Sequence, residues 1–200
     1  MAAQQEEEPI NLLDSVCMTF LLLAMAVAVV LVVVLIATSI SRESRYKDPV
    51  YTVTITGAAG LDDLAARDRP TLSPVFNLTV HIDNSGNTLR SACVGRFSTA
   101  AVSYGDALLA RGSVPPFCAE KEREGERDAT AWGQDVEVPR FLRERLAGEL
   151  GRGEGEVDVQ VTTPEHSRYD TVLVCKAKIG GGPSPCWQDF VYPRPAPAAA

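Results

Sequence analysis

The feature that most constrains this chain is an uncharged apolar stretch near its N-terminus. From Val16 to Ile40 there is no Asp, Glu, Lys or Arg. As an α-helix this stretch would be about 37 Å long, enough to cross a hydrocarbon core of about 30 Å with some tilt. Inside a bilayer the backbone must satisfy its own hydrogen bonds, so a single segment crosses as a helix. The stretch predicts one transmembrane helix over residues 16–40.

A cleaved signal peptide is the alternative. Its apolar region would be about 7–15 residues long and would follow a basic leader. Here the apolar region is longer, and the residues before it contain four acids and no Lys or Arg. Ala37-Thr38-Ser39 nevertheless has the small side chains of a cleavage site. We favour the membrane anchor.

Cys17, at its start, is interpreted as an apolar filler, with acylation as the alternative.

Charge and cysteines disagree about which side of the membrane the rest of the chain occupies. Arg42, Arg45 and Lys47 follow the helix and nothing basic precedes it, which favours a cytosolic C-terminal part. Four later cysteines suit two disulfides, and Asn77-Leu78-Thr79 is a glycosylation sequon; both belong to an extracytoplasmic domain. We predict that the domain lies outside, at the plasma membrane, with Asn77 as a glycosylation candidate.

The part after the helix has alternating apolar and polar residues, which is typical of half-buried strands. Such segments include Tyr51–Thr56, Val75–Ile82, Glu156–Thr162 and, less cleanly, Tyr169–Ile179. Two further strands are predicted over Ser91–Tyr104 and Ala107–Val114. One helix is predicted from Pro139, with Leu142, Leu146 and Leu150 on one face. The mixed-sign run Glu120–Asp128 is predicted to be a solvated loop.

These elements predict a mainly β fold: a fibronectin- or immunoglobulin-like β-sandwich with one helix, preceded by the transmembrane helix. The predicted boundaries are a polar tail at 1–15, the transmembrane helix at 16–40, a connector at 41–50, the sandwich at 51–179 and a Gly/Pro-rich tail at 180–200. The segment after residue 40 carries all 19 Lys and Arg and has a net charge of −3. Near-balanced charge argues against nucleic-acid binding.

Two segments resemble a known plant family. Ser73-Pro-Val-Phe-Asn-Leu-Thr-Val-His-Ile-Asp-Asn84, followed by Val102-Ser-Tyr-Gly-Asp-Ala-Leu-Leu-Ala-Arg-Gly-Ser-Val-Pro-Pro-Phe117, resembles the type-2 late embryogenesis abundant domain. With the N-terminal anchor, the chain resembles the harpin-induced, non-race-specific disease resistance-like branch. The resemblance covers roughly residues 46–178, although Asn84-Ser-Gly-Asn87 lacks the usual proline. It implies a fibronectin-like sandwich, a plasma-membrane location and a role in defence or stress, and it implies no catalytic residues.

Few residues suggest chemistry. His81 is expected on the outward face of a strand and His166 in a turn, without a Cys or His partner at metal-ligand spacing. Asp62-Asp63 is the best carboxylate pair, but adjacent acids in a turn rarely converge on one substrate. We therefore predict no catalytic, cofactor-binding or metal-binding residues. The aromatic residues Trp132, Trp187, Phe190 and Tyr192 are expected to close the ends of the sandwich, with a contact surface as the alternative.

The cysteines allow three pairings. Alternation places Cys175 on the inward face of its strand, and Cys186 follows after a Gly-Gly-Gly break that lets the chain fold back. We predict Cys175–Cys186, which leaves Cys93–Cys118. The predicted function is a non-enzymatic membrane protein whose outer domain binds a protein or cell-wall component, partnered by the lipid bilayer. The alternatives are a structural tether or stress protectant and a lumenal hydrolase.

Overall fold

A computed structural model of the chain describes residues 12–43, 47–65, 71–164 and 169–191. The chain divides into two compact units, Met1–Tyr46 and Lys47–Ala200. The first unit contains one helix, α1, over Leu12–Glu43. Within it, Cys17–Ser39 has a mean hydropathy of 3.4 and is long enough to cross a membrane. The helix therefore covers the predicted 16–40 and extends past it at both ends.

The second unit is mainly β, as predicted. Its described residues form one α-helix, α2, over Arg140–Gly151, and a short 3-10 turn over Asp62–Ala65. Its strands are β1 (Val50–Ala59), β2 (Thr71–Leu72), β3 (Val75–Asp83), β4 (Ala92–Val94), β5 (Thr99–Tyr104), β6 (Ala107–Ser113), β7 (Phe117–Ala119), β8 (Glu124–Trp132), β9 (Val136–Glu137), β10 (Glu156–Thr163), β11 (Asp170–Lys178) and β12 (Ser184–Val191).

Eight of these strands close into a barrel in the order β1-β12-β11-β10-β5-β6-β8-β3. The two separate sheets of the predicted sandwich are therefore not confirmed. Two of the junctions in the barrel are short. β1 meets β12 at only Thr52↔Pro185 and Val53↔Ser184, and β6 meets β8 at Arg111↔Trp132. Such brief pairings cannot be predicted from the alternation of apolar and polar residues. A barrel closed at two short junctions has the same alternation as a sandwich.

The β6–β8 junction depends on a glycine. A Cβ placed on Gly112 would collide with the carbonyl oxygen of Thr130 in β8. Only a residue without a side chain allows the two backbones to approach this closely.

The barrel interior is filled by the inward residues of the alternating strands. Val53 and Ile55 of β1, Leu78 and Val80 of β3, and Val159 of β10 are all essentially inaccessible to solvent. Since β3 and β10 bury every second residue, their register is fixed: a slip of one residue would turn the apolar set outward. The strands predicted at Tyr51–Thr56, Val75–Ile82 and Glu156–Thr162 are confirmed within longer ones.

One end of the barrel is covered by a two-stranded ribbon of β4 and β7. Its inner face, formed by Ala92, Val94, Phe117 and Ala119, is buried. We call this the entry end, because β1 begins there at Val50, which pairs with Asp83 at the close of β3. Its loops also include the β3–β4 and β4–β5 connections.

The opposite end of the barrel carries α2, and we call it the α2 end. The helix is held through Leu142 and Leu146, which are buried, while Leu150 packs partly buried against the core. The chain then turns at Gly153, whose φ of +68° is left-handed and suits glycine. The predicted helix, its apolar face and its glycine-rich ending are confirmed.

Three predicted segments differ from the structure. The strand expected over 91–104 is two strands, β4 and β5, in different sheets, because the chain turns at Gly95–Ser98 around the buried Ser98 hydroxyl. The charged run Glu120–Asp128 is a loop only up to its middle, since β8 begins at Glu124. The tail predicted from residue 180 contributes β12, whose pairing with β11 makes it part of the barrel.

Candidate functional site

A cleft of the barrel domain lies at the α2 end. It has a volume of about 450 Å³ and lies between α2, the β5–β6 turn and the neighbouring ends of β10 and β11. Its charged lining consists of three cations and four anions: Arg145, Arg152, Lys176, Glu149, Glu154, Glu156 and Asp158. The lining therefore offers hydrogen-bond donors and acceptors in nearly equal number.

Two ion pairs organise the helix side of this cleft. Arg145 Nε lies 3.0 Å from Glu149 Oε1, one helical turn further on, and Arg152 Nε lies 2.7 Å from Glu154 Oε2. Arg145 is mostly exposed whereas Glu149 is largely covered. The guanidinium of Arg145 also sits over the ring of Tyr104, with its carbon 5.9 Å from the ring centroid, at cation–π distance.

Tyr104 forms the floor of the cleft. Burial, followed by the nearby Glu149 carboxylate, raises the pKa of Tyr104. In turn the Tyr104 hydroxyl, with Arg145, lowers the pKa of Glu149, whose charged form these groups stabilise. The two groups interact, although no hydrogen bond of good geometry satisfies the buried Tyr104 hydroxyl. At neutral pH Tyr104 is therefore protonated and Glu149 ionised, so the floor presents a neutral hydroxyl beside a charge pair.

This arrangement suits recognition of a polar partner. A lining of paired charges, an aromatic ring and a hydroxyl can exchange hydrogen bonds with a polypeptide or a carbohydrate. Tyr104, Arg145 and Glu149 are not among the site residues predicted from the sequence. A signal was present, because Arg and Glu four residues apart on a helix share a face. Nothing in the sequence, however, places Tyr104 beside that face.

The four domain cysteines form two disulfides, Cys93–Cys118 and Cys175–Cys186, which are the predicted pairs. Each joins residues directly opposite one another on antiparallel strands: β4 with β7 and β11 with β12. Their surroundings differ. Cys93 and Cys118 are both exposed on the outer face of the ribbon, whereas Cys175 is fully buried in the barrel. Cys17 in α1 is a free, exposed cysteine.

Asn77 lies on the exposed face of β3, as the alternation predicted. Its Oδ1 accepts a hydrogen bond of 3.4 Å from Thr130 on β8. Across β1 it faces Gly57, where an added Cβ would come within 3.3 Å of Asn77 Nδ2. The glycine leaves room around the amide nitrogen to which a glycan would be attached. Glycosylation of Asn77 stays a prediction.

The other residues considered in the sequence are dispersed. His81 lies on β3, where its Nε2 is 3.2 Å from Glu124 Oε2 on β8. Asp62 starts the 3-10 turn. His166, Tyr192 and the side chain of Asp63 are outside the part of the chain that the structure describes. Within the described parts of the chain, no three His, Cys, Asp or Glu side chains form a group able to hold a metal ion.

The aromatic residues do not close the barrel as expected. Trp132 at the end of β8, and Trp187 and Phe190 on β12, all have more than half of their side-chain surface exposed. Trp132 belongs to the α2 end, where it is paired with Val75. Phe190 belongs to the entry end, opposite Thr171. Trp132 and Phe190 are therefore surface residues at opposite ends of the barrel, and Trp187 is a surface residue between the ends of β12.

Comparison with known proteins gives no relative: no family model, no curated protein and no solved structure matches this chain.

Proposed function

We propose that this chain is a single-pass membrane protein that presents its barrel domain on the extracytoplasmic side, where the cleft beside α2 binds a polar partner. The observation that carries the proposal is the pair of cross-strand disulfides in a chain that also contains an apolar helix of membrane-spanning length. Disulfides persist in oxidising compartments and are rare in the cytosol. In the reducing cytosol the two pairs would not persist as structural disulfides.

The biological context of the proposal comes from the resemblance to type-2 late embryogenesis abundant domains. Asn84, which ends the first segment of that resemblance, is buried, and its side-chain amide nitrogen donates to the carbonyl oxygens of Arg90 at 2.8 Å and Glu120 at 3.0 Å. The motif residue thus has a structural role, joining the loops at the entry end. On this resemblance we propose a role in plant defence or stress response.

The choice of the cleft over the rest of the surface rests on its shape and chemistry. It is concave, and the ion pairs Arg145–Glu149 and Arg152–Glu154 hold four charged groups in place before a partner arrives. Preordered groups lose less conformational entropy on binding. The expected partner is a polypeptide or a cell-wall carbohydrate, both rich in hydrogen-bonding groups.

The test is a binding experiment with the full-length chain in lipid nanodiscs. A labelled extracellular fraction should bind saturably, and unlabelled material should compete. The variant Arg145→Glu/Arg152→Glu should reduce binding by about tenfold or more. Bringing like charges together at an interface costs at least about 1.4 kcal/mol. The control is Lys121→Glu/Arg127→Glu, which makes the same change in charge on exposed residues away from the cleft.

Three results would be informative. Loss of binding in the cleft variant alone supports the proposal. Equal losses in both variants would contradict the assignment to the cleft, because binding would then respond only to net charge. The absence of any saturable, competable binding would favour the alternative of a structural tether or stress protectant.

A further inference from the structure

An aromatic side chain is held out into solvent at the entry end. In the turn between β4 and β5, Phe97 is 87% exposed and has a φ of +64°. The next residue fixes the turn: Ser98 is buried, and its Oγ donates to the carbonyl of Gly95 at 2.9 Å and lies 3.0 Å from Thr163 Oγ1. The left-handed backbone is unfavourable for a bulky residue, and exposure of the ring contributes nothing to folding. Folding alone therefore does not account for Phe97.

Other apolar side chains are exposed at the same end. Phe190 and Val191 close β12 and are 61% and 47% exposed. The strand register relates them to Phe97: Ser98 contacts Thr163, Thr163 pairs with Thr171, and Thr171 pairs with Phe190. Three strand spacings separate β5 from β12, which amounts to about 14 Å. The exposed rings thus lie on one end of the barrel, on separate elements.

The chain itself leads from the apolar helix to this end. Six residues, 44–49, lie between Glu43 and Val50. Even fully extended, this connection reaches only about 25 Å. This length is an upper bound on the distance between the end of α1 and the first residue of the barrel, which belongs to the entry end. The α2 end is further along the strands by most of the length of β3, about 27 Å for nine residues.

We infer that the entry end of the barrel is a membrane-contact surface, with Phe97, Phe190 and Val191 inserted into the interfacial region of the bilayer. Aromatic side chains are favoured at this depth, where apolar surface leaves water without entering the hydrocarbon core. The inference deepens the proposed function and rests on its membrane anchor. With the entry end on the lipid, the cleft at the α2 end faces away from the membrane and stays open to a partner.

The charge at the entry end decides what kind of lipid contact to expect. Arg90 and Arg96 are exposed there, but so is Asp48, and Asp170 begins β11 at the same end. Mixed charge gives no strong attraction to anionic lipid. The contact should depend on burial of the apolar side chains, and therefore persist in neutral phosphatidylcholine and at high salt.

Tryptophan fluorescence can test the inference, because the chain has only two tryptophans and α1 has none. The probe variant Trp132→Phe/Trp187→Phe/Phe97→Trp places one tryptophan on the exposed turn. The matched control, Trp187→Phe, keeps one tryptophan at the α2 end, Trp132, which is 60% exposed. Both full-length variants are reconstituted into phosphatidylcholine vesicles with or without bromine atoms near the top of one acyl chain.

Bromine quenches only nearby tryptophans, so the expected result is roughly twofold quenching of the Phe97→Trp probe and almost none of Trp132, because only the entry end meets the interface. Quenching should be unchanged by 0.5 M salt, at which surface charges are screened. An unquenched probe, or equal quenching of both variants, would overturn the inference. Quenching that disappears in salt would overturn its apolar basis.

Two controls separate the outcomes. Alkaline washing of the vesicles shows whether the chain is anchored: if it is released, the proposed anchor itself fails. If it is retained and the probe is unquenched, only the membrane-contact surface fails. The probe could instead be unquenched by brominated lipid and shift its emission as the protein-to-lipid ratio rises. That result would overturn the inference in favour of contact between copies of the chain. Intact disulfides in each variant, shown by peptide mapping, verify folding.

Discussion

The two disulfides of this domain share one geometry and differ in their surroundings. Both join directly opposed residues of antiparallel strands. Cys93–Cys118 lies exposed on the ribbon that covers the entry end, whereas Cys175–Cys186 ties β12 to β11 with one partner fully buried. Loop entropy alone ranks the first pair higher: separations of 25 and 11 residues correspond to about 3.5 and 2.8 kcal/mol. When the burial of Cys175 is included, we expect Cys175–Cys186 to contribute more to stability than Cys93–Cys118.

The reversal follows from what each bond holds. β12 pairs with β1 through only two residue pairs. Most of the backbone pairing that keeps β12 in the barrel is therefore with β11. The ribbon, by contrast, is also held by its buried inner face and by the hydrogen bonds of Asn84. The comparison teaches that burial of a disulfide, and the cavity that its loss would leave, can outweigh a difference in loop entropy.

The largest expected effect is on the buried pair. Cys175→Ala/Cys186→Ala should lower the free energy of unfolding by about 3–5 kcal/mol, through lost loop closure and a small cavity at position 175. Guanidinium denaturation of the full-length chain in detergent, followed by tryptophan fluorescence, measures this loss. A loss smaller than that caused by removing the exposed pair would break the comparison.

Removal of the exposed pair should have a smaller effect. We expect Cys93→Ala/Cys118→Ala to cost at most about 3.5 kcal/mol, since only loop closure is lost and the bond leaves no cavity in the core. The same denaturation experiment applies. Hydrogen exchange should show increased opening confined to β4, β7 and their loops, because only the ribbon is released. Increased exchange throughout the barrel would be the contrary result.

Asn84 tests whether the ribbon has a second support. Asn84→Ala should cost about 1–3 kcal/mol, because it leaves the buried carbonyl oxygen of Ala119 and the partly buried carbonyl oxygens of Arg90 and Glu120 without their donor. The control is Arg90→Ala, which removes an exposed side chain, keeps that carbonyl and should change stability by about 0.5 kcal/mol or less. In a double-mutant cycle, Asn84→Ala and the Cys93/Cys118 variant should be coupled. Strict additivity would mean that they support different regions.

The smallest perturbation is partial reduction of the native chain. A soluble phosphine should reach Cys93–Cys118 first, because both sulfur-bearing residues are exposed and Cys175 is not. Alkylation at short times followed by peptide mapping identifies the opened pair. Early labelling of Cys175 and Cys186 would show that β12 opens more readily than the ribbon.

The accuracy of the sequence predictions depends on which strands have one buried face. β1, β3 and β10 alternate between core and solvent, so their positions could be read from the sequence. β8 and most of β12 are exposed over much of their length and therefore have no period of two. The sequence therefore predicts a loop and a tail there, although β8 pairs along its whole length with β3 and β12 pairs over Cys186–Val191 with β11.

The candidate site could be predicted only in part for a similar reason. The cysteine pairing was accessible, because alternation gave the direction of Cys175 and a glycine-rich break gave the return of Cys186. The cleft was not. Tyr104 and Glu149 are brought together by the packing of α2 on the β5–β6 turn, and such long-range packing leaves no mark at a fixed spacing in the sequence.

The central claim is that the barrel domain lies in an oxidising compartment outside the cytosol. The most direct test is to alkylate intact cells rapidly, isolate the full-length protein and map its peptides without reduction. We predict the linked peptides Cys93–Cys118 and Cys175–Cys186, with Cys17 as the remaining cysteine. Four alkylated thiols at positions 93, 118, 175 and 186 would contradict the claim and place the domain in the cytosol.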